Sequence, residues 1–595
     1  MKYSDLIGDW LKELGYTHCF YVAGGNIMHL LAGASERFTC VSVVHEVAAG
    51  IATEYFNETS PKGRAFVLVT AGPGLTNIVT AMAGAYLESR ELLVLGGQVK
   101  TADLSRGMLR QRGIQEIAGV DIARPITVKS VLMDDVAGKA QFREIVEAGS
   151  QGRKGPVFVE IPLDIQGRQV ERASLESHVS VALAGAIPPI GPTDLEKLAK
   201  MIRDSARPML LLGGGVRRHV AHALSDHYLS MGIPIVTTWN GADRIAADHP
   251  LYFGRPNTWG QRYSNILCQQ ADLLIGLGTR LGLQQTGFNW QEFVPVGRIV
   301  QVDCDEKELT KGHPRVTWGI QGDANEVLNW LSRAKLGDHA EWIAFCREVK
   351  ATLPPIEPVN TTREGYVSPF TLVDYLSRIC AEDDVIVPCS SGGAFTVMMQ
   401  IFAQKSGQMI VTNKGLASMG YGLSGAIGAA FANPNKRVVL VEGDGGFAQN
   451  LQELGTVSIN RLNVKIFIFN DNGYASIRMT QRNYFGGRYV GCDRTTGLGL
   501  PDWDTLFRAY GIPTMQLDPG FDKQKDFHKL FDEAGPVGFI VMLDPEQTYL
   551  PKIMSRVTST GTMASNPLHR MAPDLEPEIA GQVFRYLPDY YKTSR

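Results

Sequence analysis

Short apolar segments rich in Val, Ile and Leu alternate with helix-length segments along most of the chain, and this alternation limits its fold more than any other feature. In the first block, RAFVLVT (64–70) and ELLVLGGQ (91–98) are separated by LTNIVTAMAGAYLES (75–89). Strands that are apolar on both faces and joined through helices form parallel sheets with helices on both sides. The pattern recurs in three blocks, so we expect an α/β protein with three doubly wound parallel sheets.

Stretches rich in proline and glycine separate the blocks. LAGAIPPIGPTD (183–194) and LPPIEPVN (353–360) have the composition of linkers. We expect three domains and a polar C-terminal tail that acts as a lid or as a packing arm. Their predicted bounds are 1–172, 188–352, 365–557 and 558–595.

The composition argues against several classes of protein. A net charge of −3 and the lack of a long Lys/Arg run give no case for nucleic-acid binding. The 8 cysteines include no CxxC pair, which indicates reduced thiols rather than a disulfide framework or a zinc site. No apolar run approaches the roughly 20 residues of a membrane span, and the N-terminus lacks the apolar core of a signal peptide. We therefore expect a cytoplasmic protein with no membrane partner.

Polar residues lie at the ends of two strands in the third block. RVVLVE (437–442) leads into Gly443-Asp444-Gly445-Gly446, and VKIFIFN (464–470) leads into Asp471. The carboxyl ends of neighbouring parallel strands share one edge of a sheet. Asp444 and Asp471 then supply oxygen ligands suited to Mg²⁺. The glycines allow close approach of a ligand, and the amides that open the following helix form a phosphate site.

Another carboxylate lies at the start of a helix in the first block. In VSVVHEVAAG (41–50), Glu46 follows a strand that we expect to be buried and enters a helix. A carboxylate in that place is partly desolvated, which suits proton transfer. The alternative is a glutamate that the helix dipole favours at this position.

These segments together resemble the acetolactate synthase branch of the thiamine-diphosphate enzymes, over the chain to about residue 550. The resemblance rests on HEVAAG (45–50), LVTAGPGLTNIVTAMAGAYLES (68–89), GLASMGYGLSGAIGAA (415–430), GDGGFAQNLQEL (443–454) and NDNGYASI (470–477). It implies pyrimidine-binding, middle and diphosphate-binding domains, with thiamine diphosphate and Mg²⁺ as cofactors. It also implies that the two domains facing each cofactor come from different subunits, so a homodimer is the minimum assembly and a tetramer is compatible.

The resemblance assigns roles to particular residues. Asp444, Asp471 and the carbonyl of Gly473 would bind the metal. Glu46 would hydrogen-bond the aminopyrimidine ring, so that the amine of the cofactor removes the proton from C2 of the thiazolium. The other cofactor-binding positions that it implies are Gly25, Ser391, Gly392, Gly393, Ala417, Met419, Gly445, Gly446, Tyr474 and Ala475.

Three of the implied roles are more specific. Met419 matches the apolar wedge beneath the cofactor, and the carbonyl of Ala417 would accept a hydrogen bond from the amine of the pyrimidine. Gln115 matches a glutamine beside the donor substrate, the alternative being a surface residue in a polar loop. Asn26 would donate a hydrogen bond to a developing oxyanion.

The middle block raises the question of a flavin. LLLGGGV (210–216), GLGTRLGLQQTG (276–287), VDCDE (302–306) and QGDANEV (321–327) resemble segments that hold FAD in the family. The implied FAD contacts are Gly214, Gly215, Arg280, Asp303 and Asp323. Gln284 stands where the family has a second arginine. A Gly-rich turn is weak evidence alone, so an ADP-like ligand or an empty site is the alternative.

Departures from the family pattern bear on the substrate and the diphosphate. CSSGGAF (389–395) replaces the usual Gln-His pair, and Asp471 replaces the usual Asn. Thr480 replaces the tryptophan that guides ketoacid acceptors, which leaves room for a larger or more polar acceptor.

The expected reaction is decarboxylation of a 2-ketoacid, with pyruvate as first choice, and transfer of the two-carbon unit to an acceptor carbonyl. A ketoacid, an aldehyde or a keto-sugar would serve as acceptor, and the missing tryptophan favours a keto-sugar. Within the class, the alternatives are a decarboxylase and a C–C hydrolase or lyase. Outside it, they are a nucleotide-binding oxidoreductase and a non-catalytic remnant that binds cofactor.

Overall fold

The computed structural model describes residues 1–176, 185–557, 561 and 563–592. The chain divides into two compact units. The first contains Met1–Ala186, Asp384–Ala394 and Val411–Met542, and the second contains Ile187–Asp383, Phe395–Ile410 and Leu543–Arg595.

The N-terminal part of the first unit is a parallel sheet with helices on both faces. Its strands are β1 (Tyr16–Tyr21), β2 (Thr39–Ser42), β3 (Arg64–Val69), β4 (Leu92–Gln98), β5 (Lys129–Leu132) and β6 (Pro156–Pro162), in the order β2-β1-β3-β4-β6-β5. Its helices are α1 (Tyr3–Glu13), α2 (Met28–Ser35), α3 (Glu46–Thr59), α4 (Pro73–Leu87), α5 (Gly119–Ala123), α6 (Lys139–Glu147), α7 (Leu163–Gln166) and α8 (Arg172–Leu175). The expected burial of the strand before Glu46 was wrong, because β2 lies at the sheet edge and only Val41 in it is buried.

The second unit contains a parallel sheet of five strands. They are β7 (Pro208–Leu212), β8 (Ile235–Thr237), β9 (Leu273–Leu277), β10 (Arg298–Asp303) and β11 (Trp318–Gln321), in the order β11-β10-β9-β7-β8. Its helices are α9 (Pro192–Arg203), α10 (Arg218–Ala223), α11 (Ser225–Met231), α12 (Arg262–Gln270), α13 (Leu283–Thr286), α14 (Glu306–Thr310), α15 (Ala324–Leu331), α16 (Ala340–Thr352) and α17 (Pro369–Ile379). The strand order reverses between β7 and β9, and such switch points are where open α/β sheets bind ligands.

The third part of the chain repeats the topology of the first. Its strands are β12 (Val385–Val387), β13 (Met409–Ile410), β14 (Val438–Gly443), β15 (Val464–Asn470), β16 (Thr514–Leu517) and β17 (Val537–Met542). Its helices are α18 (Gly392–Ile401), α19 (Tyr421–Ala432), α20 (Asp444–Phe447), α21 (Leu454–Ile459), α22 (Ala475–Tyr484), α23 (Trp503–Ala509) and α24 (Lys525–Asp532). In the first unit, the order β12-β14-β15-β17-β16 matches the order β1-β3-β4-β6-β5. The prediction of three parallel α/β sheets is confirmed.

The prediction of a single helix between β14 and β15 was wrong, because the segment forms three short helical elements. These are α20, a 3-10 turn at Leu451–Glu453, and α21. The break lies at Asn450, whose φ of −134° is not helical. Its side-chain amide donates to the carbonyl of Gly420 at 2.7 Å. The hydrogen bond to Gly420 therefore stabilises Asn450 in a conformation that interrupts the helix.

Within the first unit, α3 packs closely against α19. Nearly every residue of α19 is buried, as the run of Gly and Ala in its sequence suggests for a helix surrounded by protein. A methyl group on Gly428 would overlap the backbone carbonyl of Ala52, and one on Gly425 would meet the ring of Tyr55. The two helices approach at a distance that only glycine permits.

We expect Gly428→Ala to lower the melting temperature, although alanine is the better helix former. The added methyl group meets backbone atoms of Ala52 that cannot rotate away, and overpacking of this kind costs about 1–3 kcal/mol. Gly455→Ala in α21 is the matched control, because there the nearest atoms of Tyr510 lie at 3.4 Å and 3.8 Å. Equal melting temperatures for the two variants would contradict the close packing of α3 against α19.

The division into units differs from the predicted bounds of the third domain, because α17, Phe395–Ile410 and residues 543–557 fall in the second unit. The prediction places α17 in the third domain, whereas the helix belongs to the second unit. Ser377 Oγ accepts from the amide of Ala403 at 3.0 Å, and Lys405 Nζ donates to the carbonyl of Arg378 at 3.0 Å. These bonds join α17 to the segment after α18. The domain bounds themselves stay a prediction.

The described part of the C-terminal segment packs within the second unit. Its elements are β18 (Lys552–Ile553), β19 (Ser555–Val557), β20 (Met563–Ser565), β21 (Met571–Ala572), α25 (Pro577–Val583) and α26 (Asp589–Lys592). Leu568 and Val583 are buried in a core shared with Trp342 and Phe345 of α16. The predicted tail also includes 558–560, 562 and 593–595, which lie outside the described residues, so its assignment as lid or packing arm stays a prediction. None of the helices in the described ranges combines the length and the apolar character needed to span a bilayer.

Candidate functional site

The segments after β14 and β15 bring together the three predicted metal ligands. We name Asp444, Asp471 and Gly473 the metal-site cluster. The amide of Gly473 donates to Asp444 Oδ2 at 3.0 Å, and the amide of Gly445 donates to Asp444 Oδ1 at 2.7 Å. Asp444 is 0% exposed and Asp471 is 5% exposed. Two carboxylates therefore share one buried place at the carboxyl edge of the sheet, as the strand ends predict.

The charges of the metal-site cluster suit a divalent cation. Burial raises the pKa of Asp444 well above its usual range, and the charge of Asp471 raises it further. Burial also raises the pKa of Asp471, against the opposing effect of Arg478. Two buried carboxylates destabilise each other's charged form, and a hard cation that prefers oxygen ligands stabilises both charges. The donor set present here thus fits Mg²⁺.

The backbone around the cluster adopts conformations that restrict the sequence. Asn472 has a φ of +65° and Gly473 a φ of +141°, and a Cβ on Gly473 would overlap the carbonyl of Cys492. The ring of Tyr474 lies against Gly445, where any side chain would collide with it. Gly446 follows within α20, and Ala475 begins α22. The helix at the predicted phosphate site has only four residues, so its backbone amides rather than a long helix dipole are available to an anion.

Two further segments of the same domain are tied to each other. Ser390 Oγ donates to the carbonyl of Ser418 at 2.5 Å. This bond links Ser391, Gly392 and Gly393, at the start of α18, to the segment that carries Ala417 and Met419. Ala417 has a φ of +56° and Met419 is 37% exposed. Non-glycine residues in the left-handed region cost about 1–3 kcal/mol and concentrate at functional sites.

In the N-terminal domain, Glu46 is the first residue of α3. His45 caps the helix, its Nδ1 accepting from the amide of Val47 at 3.2 Å. Glu46 is 7% exposed, and Asn77 of α4 donates to its Oε2 at 2.9 Å. The carboxylate is thus held in a desolvated place by one amide, which suits a group that transfers a proton.

The turn before Glu46 is held by a residue that no sequence pattern indicates. Glu453 lies just before α21 and is buried. Its carboxylate accepts from the amides of Val44 at 3.1 Å and His45 at 3.0 Å. Burial raises the pKa of Glu453. Glu453 lies in the GDGGFAQNLQEL motif, but its partners are distant along the chain, and no local pattern indicates them.

Of the two other predicted catalytic residues, Asn26 lies in a 3-10 turn (Gly25–Ile27) after β1 and Gln115 lies on the loop before α5. The carbonyl of Asn26 accepts from Gln166 Nε2 at 2.8 Å and lies so close to Gly97 that no side chain fits there. Gly25 is exposed beside it. Gln115 is exposed, with a φ of +65°, and its carbonyl lies against Gly72.

A buried acid supports the segment that follows Gln115. Glu160, in β6, is 3% exposed, and Gln98 Nε2 donates to its Oε1 at 3.2 Å. Gly119 lies against this carboxyl group with no room for a side chain. Burial raises the pKa of Glu160 to about 7 from an ordinary value of 4.5.

The raised pKa of Glu160 predicts a pH dependence of stability. The folded state binds the proton more tightly than the unfolded state, so the stabilising contribution is complete below about pH 4.5 and is lost as the pH rises to about 7. The melting temperature of the wild type should therefore fall between pH 5 and pH 7.5 relative to that of Glu160→Gln, which cannot titrate. Glu36→Gln, at a side chain that is 74% exposed, should follow the wild type. Parallel curves for the wild type and Glu160→Gln would contradict this assignment.

The predicted flavin contacts lie at the carboxyl edge of the second unit's sheet. Gly214 and Gly215 follow β7, and the carbonyl of Gly215 accepts from Asn325 Nδ2 at 3.1 Å. Asp323 caps α15 and pairs with Arg217 at 2.6 Å. The two remaining candidates are Arg280, which is exposed after β9, and Asp303, which ends β10. Gly214, Gly215 and Arg280 follow the two strands of the switch point, whereas Asp303 and Asp323 lie at the ends of β10 and β11. The role of all five in binding stays a proposal.

Comparison with protein families places the chain among known enzymes. Three family models match it: Thiamine pyrophosphate enzyme, N-terminal TPP binding domain (residues 1–121), Thiamine pyrophosphate enzyme, central domain (195–331), and Thiamine pyrophosphate enzyme, C-terminal TPP binding domain (391–541). Their order along the chain is that of the three sheets.

Curated relatives extend this similarity over nearly the full length. The chain is 30% identical to the probable acetolactate synthase large subunit of Methanocaldococcus jannaschii, covering 93% of each chain. It is 28% identical to the acetolactate synthase isozyme 1 large subunit of Escherichia coli (strain K12), covering 94% of this chain and 96% of the relative. The chain therefore belongs to the thiamine pyrophosphate enzyme family and is similar within it to acetolactate synthase large subunits.

Proposed function

We propose that this enzyme uses thiamine diphosphate and Mg²⁺ to decarboxylate a 2-ketoacid, with pyruvate as the preferred donor, and joins the two-carbon unit to an acceptor carbonyl. The observation that carries the proposal is the metal-site cluster. It places the buried carboxylates of Asp444 and Asp471 at one sheet edge, in a domain that matches a thiamine pyrophosphate family model.

Each group of residues has a part in holding the cofactor. The carboxylates of Asp444 and Asp471 and the carbonyl of Gly473 would hold Mg²⁺. Backbone amides of the Ser391–Gly393 and Gly445–Gly446 segments, together with Tyr474 and Ala475, would face the diphosphate. Ala417 and Met419 would contact the rings, and their neighbour Ser418 is already fixed by Ser390.

The chemistry of the reaction divides between cofactor and protein. Bound thiamine diphosphate supplies a carbon nucleophile and an acceptor for the electron pair released with CO₂. Glu46 holds a proton at its carboxyl oxygen and exchanges it with the pyrimidine ring nitrogen, while Asn77 keeps the carboxyl oriented. Asn26 and Gln115 would orient the reacting carbonyl groups. The low exposure of Glu46 keeps water from competing for its hydrogen bonds.

The acceptor is proposed to be larger or more polar than a simple ketoacid. Thr480, which stands where the family has a guiding tryptophan, is exposed on α22. Its hydroxyl donates to the carbonyl of Ser476 at 2.9 Å. A small hydroxyl in place of an indole leaves space and a polar contact, which favours a keto-sugar acceptor over pyruvate.

A homodimer is proposed as the smallest active assembly. The loop that carries Gln115 exposes three apolar side chains, Met108, Leu109 and Ile114, which are 76%, 59% and 85% exposed. Apolar groups on one loop are typical of an interaction surface.

We also propose that the second unit binds FAD. The proposal is supported by Gly214, Gly215 and the other candidates at the carboxyl edge of its sheet.

The test is turnover by the purified enzyme after its cofactors have been stripped with a chelator and then restored. Pyruvate loss is followed with mass analysis of every product, in the presence of a ketoacid, an aldehyde or a keto-sugar, and a visible spectrum records any flavin. Pyruvate loss that needs both thiamine diphosphate and Mg²⁺, with a coupled product, supports the proposal. Acetaldehyde as the only product would instead indicate a decarboxylase, and no loss of pyruvate would rule out this donor.

A further inference from the structure

The metal-site cluster carries one more negative charge than the family pattern, in which Asn is usual at the position of Asp471. Both Asp444 and Asp471 are buried, so solvent screens this additional charge only weakly. The ligand expected there is itself an anion, a diphosphate that Mg²⁺ neutralises in part. An aspartate at position 471 therefore opposes binding of the diphosphate unless another group compensates it.

Arg478 of α22 supplies a compensating charge. Its Nη2 donates to the Asp471 carbonyl at 2.6 Å and to Asp471 Oδ1 at 3.0 Å. Its Nη1 donates to the carbonyl of Asn472 at 3.3 Å. The arginine is 4% exposed, so this is a buried pair rather than a surface salt bridge. Breaking such a pair from one side leaves an uncompensated buried charge.

The position of Arg478 in its helix also indicates that Asp471 compensates its charge. It is the fourth residue of α22 (Ala475–Tyr484), within the first turn, where a helix disfavours a cation. A buried arginine in that place needs an anionic partner, and Asp471 is that partner. The same guanidinium bridges the carbonyls of Asp471 and Asn472, the two residues that immediately precede the ligand Gly473.

We propose that Arg478 is a positioning residue of the metal and diphosphate site, which cancels the additional charge of Asp471 and fixes the loop from Asp471 to Gly473. The Asp471–Arg478 pair then has the same net charge as the neutral Asn of the family pattern. This inference rests on the proposed function, because it assumes that the cluster binds Mg²⁺ with a diphosphate.

A double-mutant cycle tests the proposal, with Arg478→Met, Asp471→Asn and the two combined. Thiamine diphosphate binding at fixed Mg²⁺ is measured by calorimetry, and the melting temperature of the metal-free protein is measured in parallel. We expect Arg478→Met to weaken binding about 10–100-fold, as for other groups that orient metal ligands. It should also lower the melting temperature, because it leaves Asp444 and Asp471 without a counter-charge.

The combined variant should recover the share of the affinity and of the melting temperature that is lost through the uncompensated charge of Asp471. It should not recover the share that is lost with the bonds from Arg478 to the carbonyls of Asp471 and Asn472. Arg488→Met, an exposed arginine beyond the end of α22, is the matched control and should behave as the wild type. Wild-type binding by Arg478→Met, or a combined variant as weak as Arg478→Met, would overturn the proposal.

The two measurements separate this inference from the proposed function. If the wild type fails to bind thiamine diphosphate with Mg²⁺, the proposed function fails and the positioning role fails with it. The melting temperatures of the cycle then still report whether Arg478 compensates Asp471. If the wild type binds and the cycle shows no coupling in either measurement, only the role of Arg478 is wrong.

Discussion

Replacing Glu46 with glutamine is expected to lower kcat about 10²–10⁴-fold, the usual contribution of a positioned acid or base. The amide has nearly the shape of the carboxyl group and can still bond to Asn77, which donates to Glu46 Oε2 at 2.9 Å. It cannot hold and release the proton that the pyrimidine nitrogen requires. Binding of thiamine diphosphate with Mg²⁺ should stay close to that of the wild type, because the metal-site cluster is untouched.

The measurement for Glu46→Gln combines steady-state kinetics with calorimetric binding of the cofactor. Glu36→Gln is the control, since the Glu36 side chain is 74% exposed and lies at the end of α2. A split between lost turnover and retained binding separates a chemical role from a structural one. Full turnover by Glu46→Gln would show that the proton passes through another group.

Replacing Asp444 with asparagine is expected to weaken Mg²⁺-dependent binding of thiamine diphosphate by at least about 100-fold. Residues that only orient metal ligands already cost about 10–100-fold when they are changed, and Asp444 would be a ligand itself. The substitution keeps the shape of the side chain, so the bonds from Gly445 and Gly473 to the remaining oxygen can persist in part. Turnover should fall with the binding.

The same substitution should leave the metal-free protein as stable as the wild type, or more stable. Burial and the charge of Asp471 raise the pKa of Asp444, which means that its charge is unfavourable in the folded state without a cation. Asp526→Asn, at an exposed residue of α24, is the control for both measurements. A lower melting temperature together with lost binding would point to misfolding, and undiminished binding would remove Asp444 from the metal site.

The sequence predicts the fold and the strand-end loops well, because both follow from local rules. Apolar runs joined by helices leave few arrangements other than parallel sheets. Parallel strands then bring Asp444 and Asp471 to one edge, where the structure joins them through the amide of Gly473. The alternation of strands and helices also indicates that a helix begins at Glu46.

What the sequence cannot indicate depends on contacts between distant segments. Glu453 fixes the turn before Glu46 across more than half of the chain, and no periodicity reports such a pairing. Asn450 ends a helix because it bonds to Gly420, whereas the local pattern favours a continuous helix. The sequence pattern predicts only that Arg478 is a polar residue of an amphipathic helix. Its burial and its bonds to Asp471 are known from the structure alone.

The most direct test of the central claim is calorimetric titration of the cofactor-free protein with thiamine diphosphate, once with Mg²⁺ and once with a chelator. We predict that binding needs the metal, with one cofactor for each chain, and that Asp444→Asn abolishes this dependence. Equally tight binding in the presence of the chelator, or no binding under either condition, would contradict the assignment of the metal-site cluster.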